Sequence, residues 1–170
     1  MPTMLEAAGI PVPKEVQGKS FLKMLFDEKT GPTHTEIYTE MDEHVRYIPC
    51  RAVRTDRYKY IKNYSDNPFG LDMNNHDEWA HRLCLLPGHS WKRPRPEEEF
   101  YDLLKDPTEQ KNLARNPSYA GELQKHRKLL YEHMIKTGDP ILGKSFTKDF
   151  KPEEYAPVKP GHKYLSLIHI

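Results

Sequence analysis

Cys50-Arg51-Ala52-Val53-Arg54-Thr55-Asp56-Arg57-Tyr58-Lys59-Tyr60-Ile61-Lys62 reads as a β-hairpin. Two runs carrying β-branched and aromatic residues, Cys50 to Thr55 and Arg57 to Lys62, flank Asp56, a residue that suits a turn. Tyr58 and Tyr60 fall on one face of the second run, and Lys59 and Ile61 on the other. The sheet should therefore have one packed side and one wetter side. Working outward, Thr35 to Met41 alternates Ile37 and Met41 against Tyr38 and Glu40 and gives a further strand; Glu99 to Leu103 gives a fourth. After the Asp106-Pro107 turn, Asn116 suits an N-cap and Pro117 the first helical position. The helix should run to about Lys136 with Tyr119, Leu123, Leu130 and Met134 inward, and stop at Gly138. The expected fold class is α+β: a small four-stranded antiparallel sheet packed against a long C-terminal helix.

Bulk composition narrows the function classes. At 170 residues the chain has room for one ordinary domain of roughly 100–150 residues, not two. Its 26 Lys and Arg offset 25 Asp and Glu, leaving a net charge of +1. Such a balance gives no global field for nucleic acid or an anionic membrane, so neither is an expected partner. With 36% hydrophobic residues and 15 prolines, a modest core and Pro-braced irregular surface are expected. Cys50 and Cys84 are too few for a disulfide framework and leave the compartment open. No apolar run approaches the ~20 residues needed to span a bilayer, and the first residues have no signal-peptide pattern.

Flanking segments are less regular. Thr3 to Ala8 predicts one or two helical turns stopped by Gly9, short enough to read as the end of something longer. Ser20 to Phe26 predicts a small core helix with Phe21, Leu22, Leu25 and Phe26 on one face. From 64 to 96 the pattern breaks into an excursion too long for an ordinary loop, with a short helix near Asp77 to Leu85 or a lid role. The stretch 139–170 is Pro- and Lys-rich and predicts an extended tail over the surface. Its last six residues, 165–170, resemble adaptor read-through in assembled fragments and are set aside as artefactual.

The order of these segments resembles the C-terminal region of the sulfatase family, in its bacterial branch similar to heparan N-sulfatase (N-sulfoglucosamine sulfohydrolase). Three stretches carry the likeness. Pro2-Thr3-Met4-Leu5-Glu6-Ala7-Ala8-Gly9-Ile10 with Gln17-Gly18-Lys19-Ser20-Phe21-Leu22 looks like the helix and linker closing the large N-terminal domain. Arg51 to Ile61 looks like the hairpin of the small C-terminal sheet. Phe100-Tyr101-Asp102-Leu103, Lys105-Asp106-Pro107 and Asn112-Leu113 look like the last strand and following turn. The resemblance implies that 1–30 is a remnant of an alkaline-phosphatase-like α/β catalytic domain with its linker, and that 31–138 is the C-terminal subdomain. It implies a parent enzyme, periplasmic or secreted, that hydrolyses sulfate esters or sulfamates on sugars. Its cofactors would be Ca²⁺ and a formylglycine made in a Cys/Ser-x-Pro-x-Arg signature. The implied partners are the N-terminal catalytic domain and a sulfated saccharide.

That signature does not occur in these 170 residues, so no catalytic or metal-ligating residue is expected here and the chain alone should be inactive. Cys50-Arg51-Ala52-Val53-Arg54 has Cys and Arg at the right spacing but lacks the Pro and falls where a strand belongs, so it reads as a sheet cysteine. His76, Asp77, His81, Cys84 and His89 match no familiar zinc spacing. Trp79 and Trp91 read as loop anchors before sugar platforms. The better candidates are Asp42, Glu43, His44 and Arg46, which with Glu40 crowd the connection between the first strand and Pro49. Carboxylates can accept two hydroxyl hydrogen bonds, His can donate or accept, and Arg can clamp a sulfate. The resemblance places this stretch at the active-site mouth and implies substrate contacts, with Glu43 and His44 foremost. A solvated charged loop is the plainer reading. Two other functions fit the same residues: a freestanding glycan-binding module, and the tail of a related phosphodiesterase or phosphonate hydrolase.

Overall fold

A computed structural model describes residues 1–27, 29–44, 46–67 and 94–148. Two compact units divide the chain, Met1–Ile37 and Tyr38–Ile170.

In the first unit, α1 (Pro2–Ala7) begins at Pro2, whose missing N–H costs nothing in a first helical turn. Gly9, at φ 70°, ends it in the left-handed conformation, and the Ile10 N–H returns to the Leu5 carbonyl at 2.8 Å. The second helix, α2 (Leu22–Phe26), is a single turn without a buried residue. Here the expectation of a small core helix fails: Leu25 is 63% and Phe26 84% exposed. Helices of six and five residues do not enclose a core by themselves.

The second unit holds a sheet of β1 (Ile37–His44), β2 (Arg46–Arg54), β3 (Tyr58–Asn63) and β4 (Glu98–Asp102), in that spatial order. Val53 lies opposite Tyr60, and Tyr60 opposite Phe100, in antiparallel pairing. This row meets the helix α3 (Ala120–Thr137), which buries Leu123, His126, Leu130 and Met134. Tyr58 stacks on Phe100 at 5.3 Å, and Tyr38 of β1 stacks on His133 at 3.8 Å. The second face of the sheet is less wet than expected, because Ala52 and Tyr101 are also buried. Lys59 on that face is held by Glu109, whose backbone takes a positive φ of 57°.

The outer edge of β4 is closed by Asn112 and Leu113: Asn112 Oδ1 accepts from the Phe100 N–H at 3.0 Å, its Nδ2 donates to the Glu98 carbonyl at 2.9 Å, and the Leu113 N–H donates to the Phe100 carbonyl at 2.7 Å. An edge closed this way offers less to a foreign strand. Asn116 then caps a 3₁₀ turn, Pro117–Tyr119, by accepting from the Ser118 N–H, and α3 follows directly. Gly138, at φ 65°, terminates α3 as expected. His126 was not among the expected inward residues. Its Nδ1–H donates to the Glu122 carbonyl, and its Nε2 lies 3.2 Å from Thr55 Oγ1, so the helix is tied to the β2–β3 turn.

A correction concerns the stretch after Gly138, which is not simply a surface tail. Ile141 is 2% exposed within the core, and Thr147 exchanges backbone bonds with Tyr64 and Asp66 in a parallel bridge opposite Ser65. Residues 139–148 therefore complete the subdomain. The helix expected near 77–85, the His76 to His89 cluster, Trp79, Trp91 and residues 165–170 lie outside the described residues.

Candidate functional site

The candidate residues do not sit in a loop. β1 continues through Asp42, Glu43 and His44, and β2 already begins at Arg46, so the charged cluster forms the end of a strand pair. Pro49 interrupts nothing there: it lies inside β2, fully buried, and its carbonyl accepts from the Tyr64 N–H at 3.0 Å.

What holds this end in place is Arg51. It shares a face of β2 with Val53, the face that packs under α3, and it is 3% exposed. A guanidinium in such a place needs fixed carboxylates. Asp139 supplies one, accepting from Arg51 Nε at 2.6 Å and from Nη2 at 3.0 Å. Asp42 supplies the other, accepting from Nη1 at 2.8 Å. The same Nη1 reaches the carbonyls of Met41 at 3.2 Å and Cys50 at 2.9 Å. Burial works against the charge on Arg51, but the bonds to Asp139 and Asp42 outweigh it and hold the guanidinium protonated. The Arg51 bonds in turn hold the Asp139 carboxyl below the usual carboxylate range, despite its burial.

This arrangement separates the four candidates. Asp42 is half-exposed and already committed to Arg51, so it braces the strand more than it offers an acceptor. Glu43 is exposed, one position along β1, where alternation turns it to the opposite face. It is free to receive hydroxyl or amide donors. His44 and Arg46 are fixed here as the last position of β1 and the first of β2; their side chains lie outside the description. Arg51 was read only as part of the hairpin, yet it organises this end. The available signal was its parity with Val53, which puts a charge on the packed face.

Cys50 stands in extended backbone opposite Asn63, as a sheet cysteine. Among the described residues, no three of His, Cys, Asp and Glu converge in a way that could hold a metal ion. Nor, among them, is any helix long and apolar enough to cross a membrane.

Comparison with known proteins gives this geometry a context. The family described as N-sulphoglucosamine sulphohydrolase, C-terminal, matches residues 1–78. A Δ4,5-hexuronate-2-O-sulfatase of Bacteroides thetaiotaomicron is 30% identical over 165 residues, which make up 96% of this chain and 28% of that protein. The solved structure of a 2-O GAG sulfatase superposes with a TM-score of 0.63 at 30% identity, covering 95% of this chain and 29% of its own. A second solved structure, in complex with its substrate D-glucosamine-2-N,6-O-disulfate, gives a TM-score of 0.60 at 25% identity, covering 84% of this chain and 25% of its own. The chain thus spans less than a third of the length of these proteins. The comparisons thus agree on the C-terminal region of a sulfatase family: residues 1–78 match its family model, and nearly the whole chain is similar to sulfatases in sequence and fold.

Proposed function

We propose that this chain is the C-terminal part of an enzyme that hydrolyses sulfate esters or sulfamates on acidic sugars. The β1–β2 end would contribute substrate contacts through Glu43, His44 and Arg46, with Asp42 bracing them. The catalytic formylglycine and the Ca²⁺ site would belong to a preceding N-terminal domain. The observation that carries this reading is the match along nearly the whole chain to enzymes named for sulfated sugars. Support from the site is physical. Glu43 is exposed on a strand end locked by a buried Arg51, so little ordering cost remains when a sugar hydroxyl binds it. The family description points to a sulfamate and the 2-O-sulfatase relatives to an ester, and one hairpin contact set would serve both if it meets the sugar ring and not the leaving sulfate.

Two measurements test this. An upstream reading frame should contain a Cys/Ser-x-Pro-x-Arg signature, and the complete enzyme should release sulfate from a sulfated disaccharide, while the 170-residue chain alone should not. In that enzyme, Glu43→Ala should raise KM or lower kcat with an unchanged melting temperature. Wild-type kinetics in Glu43→Ala and His44→Ala would return the hairpin to plain surface.

A further inference from the structure

A cleft of about 450 Å³ opens between β3 and α3, on the packed side of the sheet. Its size lies within the range of roughly 300–1,000 Å³ common for small-molecule sites. Tyr64 and Tyr131 give it aromatic surface; Lys62 lies on the sheet wall, and Arg127 and Lys128 on the helix wall. These cations differ in how firmly they are engaged. Arg127 is closed off: it clamps Glu98 through Nε at 2.8 Å and through Nη2, while the Tyr60 hydroxyl donates to the same carboxylate at 2.7 Å. Lys62 is 23% exposed, bonds Glu97 and stands 6.0 Å over the Tyr64 ring, whereas Lys128 is 73% exposed and pairs with Glu132. Glu97, beside Lys62, is 54% exposed, and Glu132, 3.8 Å from Lys128, is 59% exposed. An exposed pair such as Lys128–Glu132 holds weakly and exchanges readily for a better anion, while Lys62 is the more firmly placed of the two cations.

We infer that this cleft is a second binding site, distinct from the β1–β2 end, for a sulfated sugar ring. The apolar face of a pyranose would lie against Tyr131, which is 56% exposed, and its sulfate would draw Lys62 and Lys128 from opposite walls. Arg127 and Glu98 stay paired and keep the back of the cleft neutral. The ligand class rests on the saccharide reading above; the shape and the two cations on facing walls do not. Such a site would hold a neighbouring ring of a sulfated chain.

The test is binding to the 170-residue chain, followed by NMR or calorimetry, with three probes: a sulfated uronate-containing disaccharide, its desulfated counterpart and inorganic sulfate. The sulfated disaccharide should bind saturably and shift signals of Lys62, Lys128 and Tyr131. The desulfated form and sulfate alone should each bind at least about tenfold more weakly. Lys62→Ala with Lys128→Ala should cost about tenfold or more in Kd, whereas Lys125→Ala, a 70% exposed cation on the same helix, should cost nothing. Lys128→Glu, at a 73% exposed position, supplies a second variant with an intact core. No saturable binding, equal binding of the desulfated form, or indifference to Lys128→Glu would each overturn the site. Binding lost in Glu43→Ala but kept in the cleft variants would assign the ligand to the hairpin and overturn it too. Sulfate release by the complete enzyme is a separate assay, so a failed cleft and a failed sulfatase reading give different results.

Discussion

At the level of single residues, the Arg51 cluster concentrates the largest consequences. Asp139→Ala would leave a buried guanidinium with three of its five hydrogen bonds and no buried counter-charge, and the expected loss is about 3 kcal/mol of unfolding free energy, read from urea denaturation. Asp42→Ala removes only a half-exposed partner and should cost about 1 kcal/mol or less. Glu43→Ala, exposed, should leave the midpoint unchanged within about 0.5 kcal/mol. The same cluster sets an acid dependence. Because the folded state holds Asp139 below its ordinary value, the unfolded chain binds the proton first as pH falls. That stabilisation is complete above the ordinary carboxylate range, and it is lost as pH drops through the lowered folded value. In Asp139→Asn this part of the acid-side decline should be missing from a series of unfolding curves between about pH 5 and pH 2.

For the helix and strands, the ends carry the sharpest expectations. Asn116→Ala deletes the acceptor for the Ser118 N–H and should lower stability by about 1 kcal/mol. Gly138→Ala forces a side chain into φ 65° and should cost a similar amount, of about 1 kcal/mol, although nothing stands where the new Cβ would go. Thermal midpoints of the two variants check both. These elements were also the legible ones. Asn116, Pro117 and Gly138 act on backbone at or next to their own positions, so sequence alone places them, and the 123, 130, 134 spacing already marks the buried stripe of α3, while Tyr119 falls in the 3₁₀ turn before it. The gap at 126 in that stripe is His126, invisible to an apolar count because its two nitrogens are satisfied by Glu122 and Thr55. Strand ends were less legible. Asp42 to Arg46 is too polar to look like sheet, and it is held there by Arg51, whose partners are set by the fold and not by neighbours in sequence.

For the molecule as a whole, stability depends on closure by the segment after α3. Ile141→Ala should lose about 2–4 kcal/mol, since Ile141 is buried in the same core as Phe100 and Met134. Loss of that order in denaturant unfolding, with the sheet's circular dichroism retained below the transition, is the expected outcome. Composition could not foretell this, because one isoleucine in a Pro- and Lys-rich stretch has no period to report it. The apolar side chains of α2, by contrast, read from the sequence as a core face and are exposed instead, for want of helix length. The distance along the chain between Arg51 and Asp139, 88 residues, also sets an order of events during synthesis. At about 5–20 residues per second the ribosome needs roughly 4–18 s to deliver the carboxylate that Arg51 requires. During that interval the hairpin is complete in sequence but carries a cation on its inner face without its main counter-charge. Final consolidation therefore waits until the segment after α3 has left the ribosome, and a ribosome-stalled chain ending at Gly138 should remain protease-sensitive where one extended beyond 148 by a linker is protected.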